Sequence, residues 1–434
     1  MKQVFLILLI FFYFLCTHLS IINAQDYLVA IDTSEYSYAD LVFSYDIIED
    51  RKDYVLALAN NEHIKDLEYN EINYEIIDTE PLKNEYFFIY QYQEDDLELL
   101  EEIGKIIFYD YGTVLLKTSH KYAIIIAQSG FEISKLFLEP ISSLHQAQAI
   151  ESSAFKYNND IKAMTDSVDK KKLLSIATTL VDFGTRKSTS PQGIEASKYI
   201  YNQFKEYGLK RVGFHDFDKN ADNVVAVLPG NEEPEKMVII GAHYDSLSSY
   251  YSTVAPGADD NASGTAAVLE AARIFSNYTF KYSIVFIAFA SEELGLIGSK
   301  NYAQEARERG DEIIAMINID MIGYLAENDV PDIDLIPGRN AQDLLELAHF
   351  ATKTYIGGFS SITGSSPMFA SSDHASFSKY GYKALWFFED SKDDSPFIHS
   401  ANDIMGKSLN NPEFFTNCTK SVIATAASLA EVID

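Results

Sequence analysis

The sequence predicts an α/β protein, a mostly parallel sheet flanked by helices, preceded by a small α+β domain. Three observations carry this. From about residue 171 onward, strand-like runs that are apolar throughout alternate with helix-like runs, the pattern of a parallel sheet buried on both faces. Before about residue 143, short β-rich runs are separated by polar stretches. Between them, residues 144–170 are polar and rich in Ser, Ala, Asn and Asp, and read as a linker. The chain of 434 residues also exceeds the usual size of one domain.

Residues 1–24 read as a signal peptide: Met1-Lys2, an apolar run from Val4 to Cys16, and a small residue, Ala24, at the expected cleavage point. The apolar run is too short to span a bilayer comfortably. We therefore expect a secreted or periplasmic protein with no stable membrane insertion after cleavage. Cleavage leaves Cys418 as the sole thiol, so no intramolecular disulfide can form, and a lone cysteine in a helical pattern reads as a packed residue. A formal charge of −30, spread along the chain, excludes nucleic-acid binding through phosphates.

In residues 25–143, strands are expected near 53–58, 86–90, 105–109, 112–116 and 123–127, with helices near 61–70 and 94–103. No cluster of ligand-type side chains lies here, and the role of this domain is unreadable. In residues 171–434, helices are expected at 173–183, 193–207, 265–275, 298–309, 341–355 and from 411. Strands are expected at 223–228, 237–241, 283–290, 313–319, 333–336 and 384–388.

The chemistry sits where strands end. The run Met237–Gly241 leads into His243 and Asp245, Ile284–Ala290 into Glu292-Glu293, and Ile314–Ile319 into Asp320. Ligands of open α/β sheets bind outside the carboxyl ends of the strands. Asp259-Asp260 joins a small-residue turn, Asn261 to Gly264, and then an apolar helix; adjacent carboxylates there call for a cation. Imidazole and carboxylate without a usable thiol suit zinc better than calcium or magnesium. His243, Asp260, Glu293, Asp320 and His399 offer more ligands than one open zinc site needs, so two ions are expected. Spacing does not say which of Glu292 and Glu293 binds metal and which acts as general base.

Four segments in this order, Gly241-Ala242-His243-Tyr244-Asp245-Ser246, Gly257 to Gly264, Ser291 to Ser299 and Asn318 to Gly323, resemble the secreted di-zinc aminopeptidases of the bacterial leucyl aminopeptidase type, of the zinc exopeptidase superfamily. The resemblance covers about Leu173 to the C-terminus. It implies that His243 and Asp320 hold one metal, that Glu293 and His399 hold the other, and that Asp260 bridges them. It further implies that Glu292 is the general base, that the Asp260–Asn261 peptide is cis, and that Asp245 orients His243. Ser372-Asp373-His374 resembles a further motif of the family, which implies Asp373 and His374 as supporting residues around the ligands, while Asp259 reads as a neighbour of Asp260 that holds structure or a hydrogen bond. The substrate would be the N-terminal peptide bond of peptides or proteins. One departure concerns the last histidine: Phe397-Ile398 precede it and no second cysteine remains after the expected cleavage, which leaves Tyr380 and Tyr382 as candidates for the oxyanion-stabilising group.

Taken singly, each residue has a bland explanation. A histidine after a strand is usually a hydrogen-bonded core residue, paired glutamates suit a helix N-terminus, and a loop histidine is usually exposed. Agreement across separate strands reverses that weighting. The rivals are a glutaminyl cyclase with a single zinc, a carboxypeptidase anchored by Arg339, and an inactive binding protein on the same fold.

Overall fold

The computed structural model describes residues 27–33, 41, 45–51, 54–90, 96–110, 113–129, 131–138, 149–218, 221–248, 252–364 and 371–433. The expected signal peptide lies outside them. Residues up to 85, with 137–140, form one compact unit, and residues 86–136 with 141–434 form another.

In the first unit, β1 (Tyr27–Asp32), β2 (Asp46–Asp50), β3 (Tyr54–Ala59) and β4 (Tyr74–Asp78) make an antiparallel sheet in the order β2-β3-β1-β4. Helix α1 (Asn61–Tyr69) follows β3, its first amides capped by the Asn60 side chain.

The second unit begins with β5 (Tyr86–Tyr90), α2 (Asp96–Ile103), β6 (Lys105–Asp110), β7 (Thr113–Lys117), α3 (His120–Gln128) and β8 (Glu132–Leu136), whose strands pair antiparallel as β6-β7-β5-β8. Residues 123–127, expected as a strand, lie in α3 instead. Three consecutive isoleucines suggested β-structure, but Ala123, Ile126 and Ala127 are buried at helical spacing while Ile124 and Ile125 are half-buried. The apolar core of this small sheet, including Phe87, Leu116 and Ile133, takes in Leu247 from the loop after a strand of the large sheet.

The stretch expected as a linker carries α4 (Asn159–Asp166), which buries Ile161 and Met164. Helices α5 (Lys170–Val181) and α6 (Pro191–Glu206) follow, capped by Asp169 and Ser190. Then come β9 (Arg211–Asp218), β10 (Ala221–Leu228), β11 (Glu233–His243), α7 (Ala262–Phe275), the short β12 (Thr279–Phe280), β13 (Tyr282–Phe289), α8 (Ile297–Arg309), β14 (Glu312–Ile319), β15 (Asp332–Pro337), α9 (Gln342–Tyr355), β16 (Ser360–Thr363), α10 (His374–Lys379), β17 (Ala384–Phe388), α11 (Pro412–Ala430) and β18 (Val432–Ile433), which pairs with β12. The large sheet has the order β16-β15-β17-β14-β11-β13-β10-β9. Its central four strands, β17-β14-β11-β13, are parallel, while β10, β9 and β15 run antiparallel to their inner neighbours.

Parallel pairing aligns the carboxyl ends of β11, β13, β14 and β17, so His243, Glu292, Asp320 and Glu389 leave the sheet at one edge. Gly264 brings α7 to that edge: a Cβ there would lie 2.2 Å from the carbonyl oxygen of Ile319, so any larger residue would push the helix start off β14. Cys418 is buried in α11, as its helical pattern predicts.

Candidate active site

Asp260 stands between two imidazoles. Its Oδ1 lies 3.2 Å from His243 Nε2 and its Oδ2 lies 3.2 Å from His399 Nε2. On one side Asp320 Oδ1 is 3.2 Å from His243 Nε2, with Glu292 Oε2 at 3.9 Å. On the other side Glu293 Oε2 is 2.9 Å from His399 Nε2. All six side chains are buried or nearly so, and donor atoms of His243, Glu292 and Asp320, and of His243, Asp260 and Glu293, gather within 4.8 Å. The sequence-predicted ligands and Glu292 are thus brought together. The Asp260–Asn261 peptide is cis.

The surrounding contacts fix these groups. Asp245 faces His243 Nδ1, with its carbonyl oxygen at 3.3 Å and Oδ1 at 3.5 Å. The same carboxylate accepts from the Glu292 amide and from Ser188 Oγ, linking three loops. Asp259 accepts from the amide of Gly323 through Oδ1. Ser372 Oγ donates to Asp320 Oδ2, and Trp386 Nε1 donates to the Asp320 carbonyl. Asp373 is fully buried at the start of α10, and His374 packs its ring 5.4 Å from that of Trp386.

Sequence reasoning missed two supports. Asp403 accepts the amides of Asp259 and Asp260, one on each oxygen. Arg186, fully buried, donates to the carbonyls of Leu180, Tyr244, Pro256 and Gly257. Burial holds its guanidinium down at about 10, against the pull of Asp403 and Asp260. Apart from Leu180, their partners are backbone groups 58 or more residues away, so spacing carries no trace of them. The single available signal was Asp403 closing the His399-Ser400-Ala401-Asn402-Asp403 segment.

The electrostatics of the cluster favour a cation. Burial, opposed by His243 and reinforced by Asp320, Asp373 and Glu293, pushes the Glu292 carboxyl well above its usual range; burial and Asp260 raise Glu293 to about 7. Burial opposes charge on both imidazoles, yet Asp320 and Glu292 around His243, and Glu293 and Asp260 around His399, hold their pKa values well above normal. Among the described residues, Glu293 Oε1 and His399 Nδ1 are buried with no hydrogen-bond partner. Crowded carboxylates, two imidazoles and an unused buried carboxylate oxygen fit a zinc centre.

A cavity opens onto the cluster, reaching Asp260, Glu292, Glu293, Asp320 and His399. Its apolar wall is Phe131, Ile133, Met321, Trp386, Phe388 and Ile398, the first two from the small sheet around β8, and Asp394 lies in the same lining. Tyr380 and Tyr382 are not at this cavity. They pack with Phe289 and Phe377 in a separate apolar cluster, where Tyr382 Oη donates to the Asp311 carbonyl, so the candidates for oxyanion stabilisation are corrected. Arg339 is also absent from the described lining of this cavity, so it is not placed there as a carboxylate anchor.

Residues 223–426 match the model of "Peptidase family M28". A "Probable leucine aminopeptidase" of Arthroderma otae is 31% identical over 260 residues, covering 56% of this chain and 69% of that protein. A "Probable zinc metalloprotease" of Pyrenophora tritici-repentis is 36% identical over 198 residues, 40% of this chain and 46% of that protein. In fold, the crystal structure of the LapA aminopeptidase of Legionella pneumophila superposes with a TM-score of 0.65 at 22% identity, over 81% of this chain and 99% of that one. With its matched motifs grouped around one buried cluster, the chain belongs to peptidase family M28 and is a zinc metallo-aminopeptidase.

Proposed function

We propose that this zinc aminopeptidase works with two ions, one held by His243, Asp260 and Asp320, the other by His399, Asp260 and Glu293. The observation that carries the reading is Asp260, whose two oxygens each lie 3.2 Å from a different imidazole. Zinc bound there would lower the pKa of a water and polarise the scissile carbonyl.

The chain's own groups do the rest. Glu292, its amide fixed by Asp245, takes the proton from the attacking water and returns it to the leaving amine as the peptide bond breaks. The crowded acids attract the free α-ammonium group of the peptide, and the apolar wall receives its N-terminal side chain. The leader-like residues 1–24 support export, which N-terminal sequencing of the mature protein tests by a start at Gln25.

Zinc analysis of the purified protein should give two ions per chain, falling to about one in His399→Ala, with chelator-sensitive release of amino acids from aminoacyl p-nitroanilides. One zinc in the unmodified protein, with ammonia released from N-terminal glutamine peptides, would replace this reading by cyclisation.

A further inference from the structure

Among the described residues that line the cavity, Asp394 is the one that is acidic yet outside the ligand cluster. It is half-buried and lines the same cavity as Phe131, Ile133, Trp386, Phe388 and Ile398. Among the described residues no Lys or Arg pairs with it. Burial, and after it the charges of Asp390 and Asp393, raise its pKa to about 6 against the lowering effect of a backbone hydrogen bond. In position it is distinct from the acids grouped around His243 and His399.

The segment carrying it is braced. Ser395 N donates to Glu389 Oε1 at 2.8 Å, and Ser395 Oγ pairs with Ser408 Oγ at 2.5 Å. A carboxylate held at an apolar wall is costly unless a cation meets it. Lysine and arginine side chains have the matching build, an apolar stem ending in a charge.

We propose that Asp394 is a specificity residue that selects a lysine or arginine side chain at the N-terminal position of the substrate. The apolar wall takes the methylene stem and Asp394 pairs with the ammonium or guanidinium head. The α-ammonium, common to every substrate, stays with the acids around Asp260 and Glu292. The field of a chain with a formal charge of −30 favours the same cationic substrates. The inference rests on the aminopeptidase reading above and names its substrate class.

Two measurements on the full-length protein test it. Zinc-loaded enzyme is assayed for kcat/KM on the p-nitroanilides of arginine, lysine, norleucine and leucine. Zinc-free protein is titrated with L-argininamide and with L-norleucinamide, followed by the fluorescence of Trp386, the single tryptophan of the chain and part of the cavity wall. Arginine and lysine should exceed norleucine by about 10–100-fold in kcat/KM, and argininamide should bind about tenfold tighter than norleucinamide. In Asp394→Asn both ratios should fall to near one. Equal preference in the unmodified protein overturns the inference, as does an Asp394→Asn variant that slows all four substrates alike. Chelator-sensitive release of leucine without cationic preference sinks this inference alone. Absence of release from every substrate sinks the aminopeptidase reading, while the fluorescence titration still decides whether the cavity selects a cation. Should Asp394→Asn fail to fold, the comparison of the two amides on the unmodified protein stands as the test.

Discussion

His243 and His399 reach the same carboxylate from opposite sides, but different structures stand behind them. His243 ends a central strand, and its far nitrogen faces Asp245, which also holds the Glu292 amide and Ser188. His399 sits in a loop with φ at +50°, and its far nitrogen has no hydrogen-bond partner among the described residues. Sheet register and Asp245 fix the first imidazole. The second is held by its own backbone turn and by the carboxylates it faces. A shared centre can thus have one half preorganised by the fold and another set by its loop.

The largest effect should come from the pair of neighbours that divide between these halves. Glu292→Gln should lower kcat by about 10²–10⁴-fold while the zinc content stays unchanged. Glu293→Gln should instead lose zinc from the His399 half. If Glu292→Gln keeps activity within tenfold, Glu292 is not the base; if it loses zinc instead, the division of roles is reversed.

Next in size is the support behind His243. Asp245→Asn should weaken zinc binding in that half by about 10–100-fold, read by chelator competition. In the unmodified protein the His399 half should release its ion first as chelator is added. Simultaneous loss of both ions would break the comparison, since it would show that Asp245 confers no advantage.

A smaller effect lies beneath the bridge. Asp403→Ala strands the buried amides of Asp259 and Asp260 and should cost about 2–5 kcal/mol, seen as a lowered urea midpoint of the zinc-free protein. Asp403→Asn, which keeps one acceptor oxygen, should cost about half as much. A midpoint shifted equally by both would mean that the clamp acts through its charge rather than its acceptors. The least effect is expected at Cys418, buried in α11: thiol reagents should leave the folded enzyme active, and inhibition would show that the helix opens.

The strand-borne half was also the more legible one. Long apolar runs that stop at His243, Glu292 and Asp320 announce both the sheet and the edge where ligands meet. His399 was found by motif resemblance, because a loop residue carries no period. Arg186 and Asp403 escaped for a physical reason: their partners are backbone groups, which every residue type supplies equally. Elsewhere β4, with two of its five residues exposed and none buried, gave no alternation to follow, and the isoleucine run of α3 displayed β-propensity that burial at helical spacing overrode.

Arg186 joins the end of α5, the residue after His243 and the turn before Asp259 through four carbonyls, none of which binds metal. Those loops are tied together by hydrogen bonds that use none of the proposed metal-binding atoms. Scarcity of zinc should therefore leave a stock of folded but dormant molecules, restored by adding the ion without passing through a denatured state. For this chain, metal supply would act as a switch on existing protein rather than a requirement for making it.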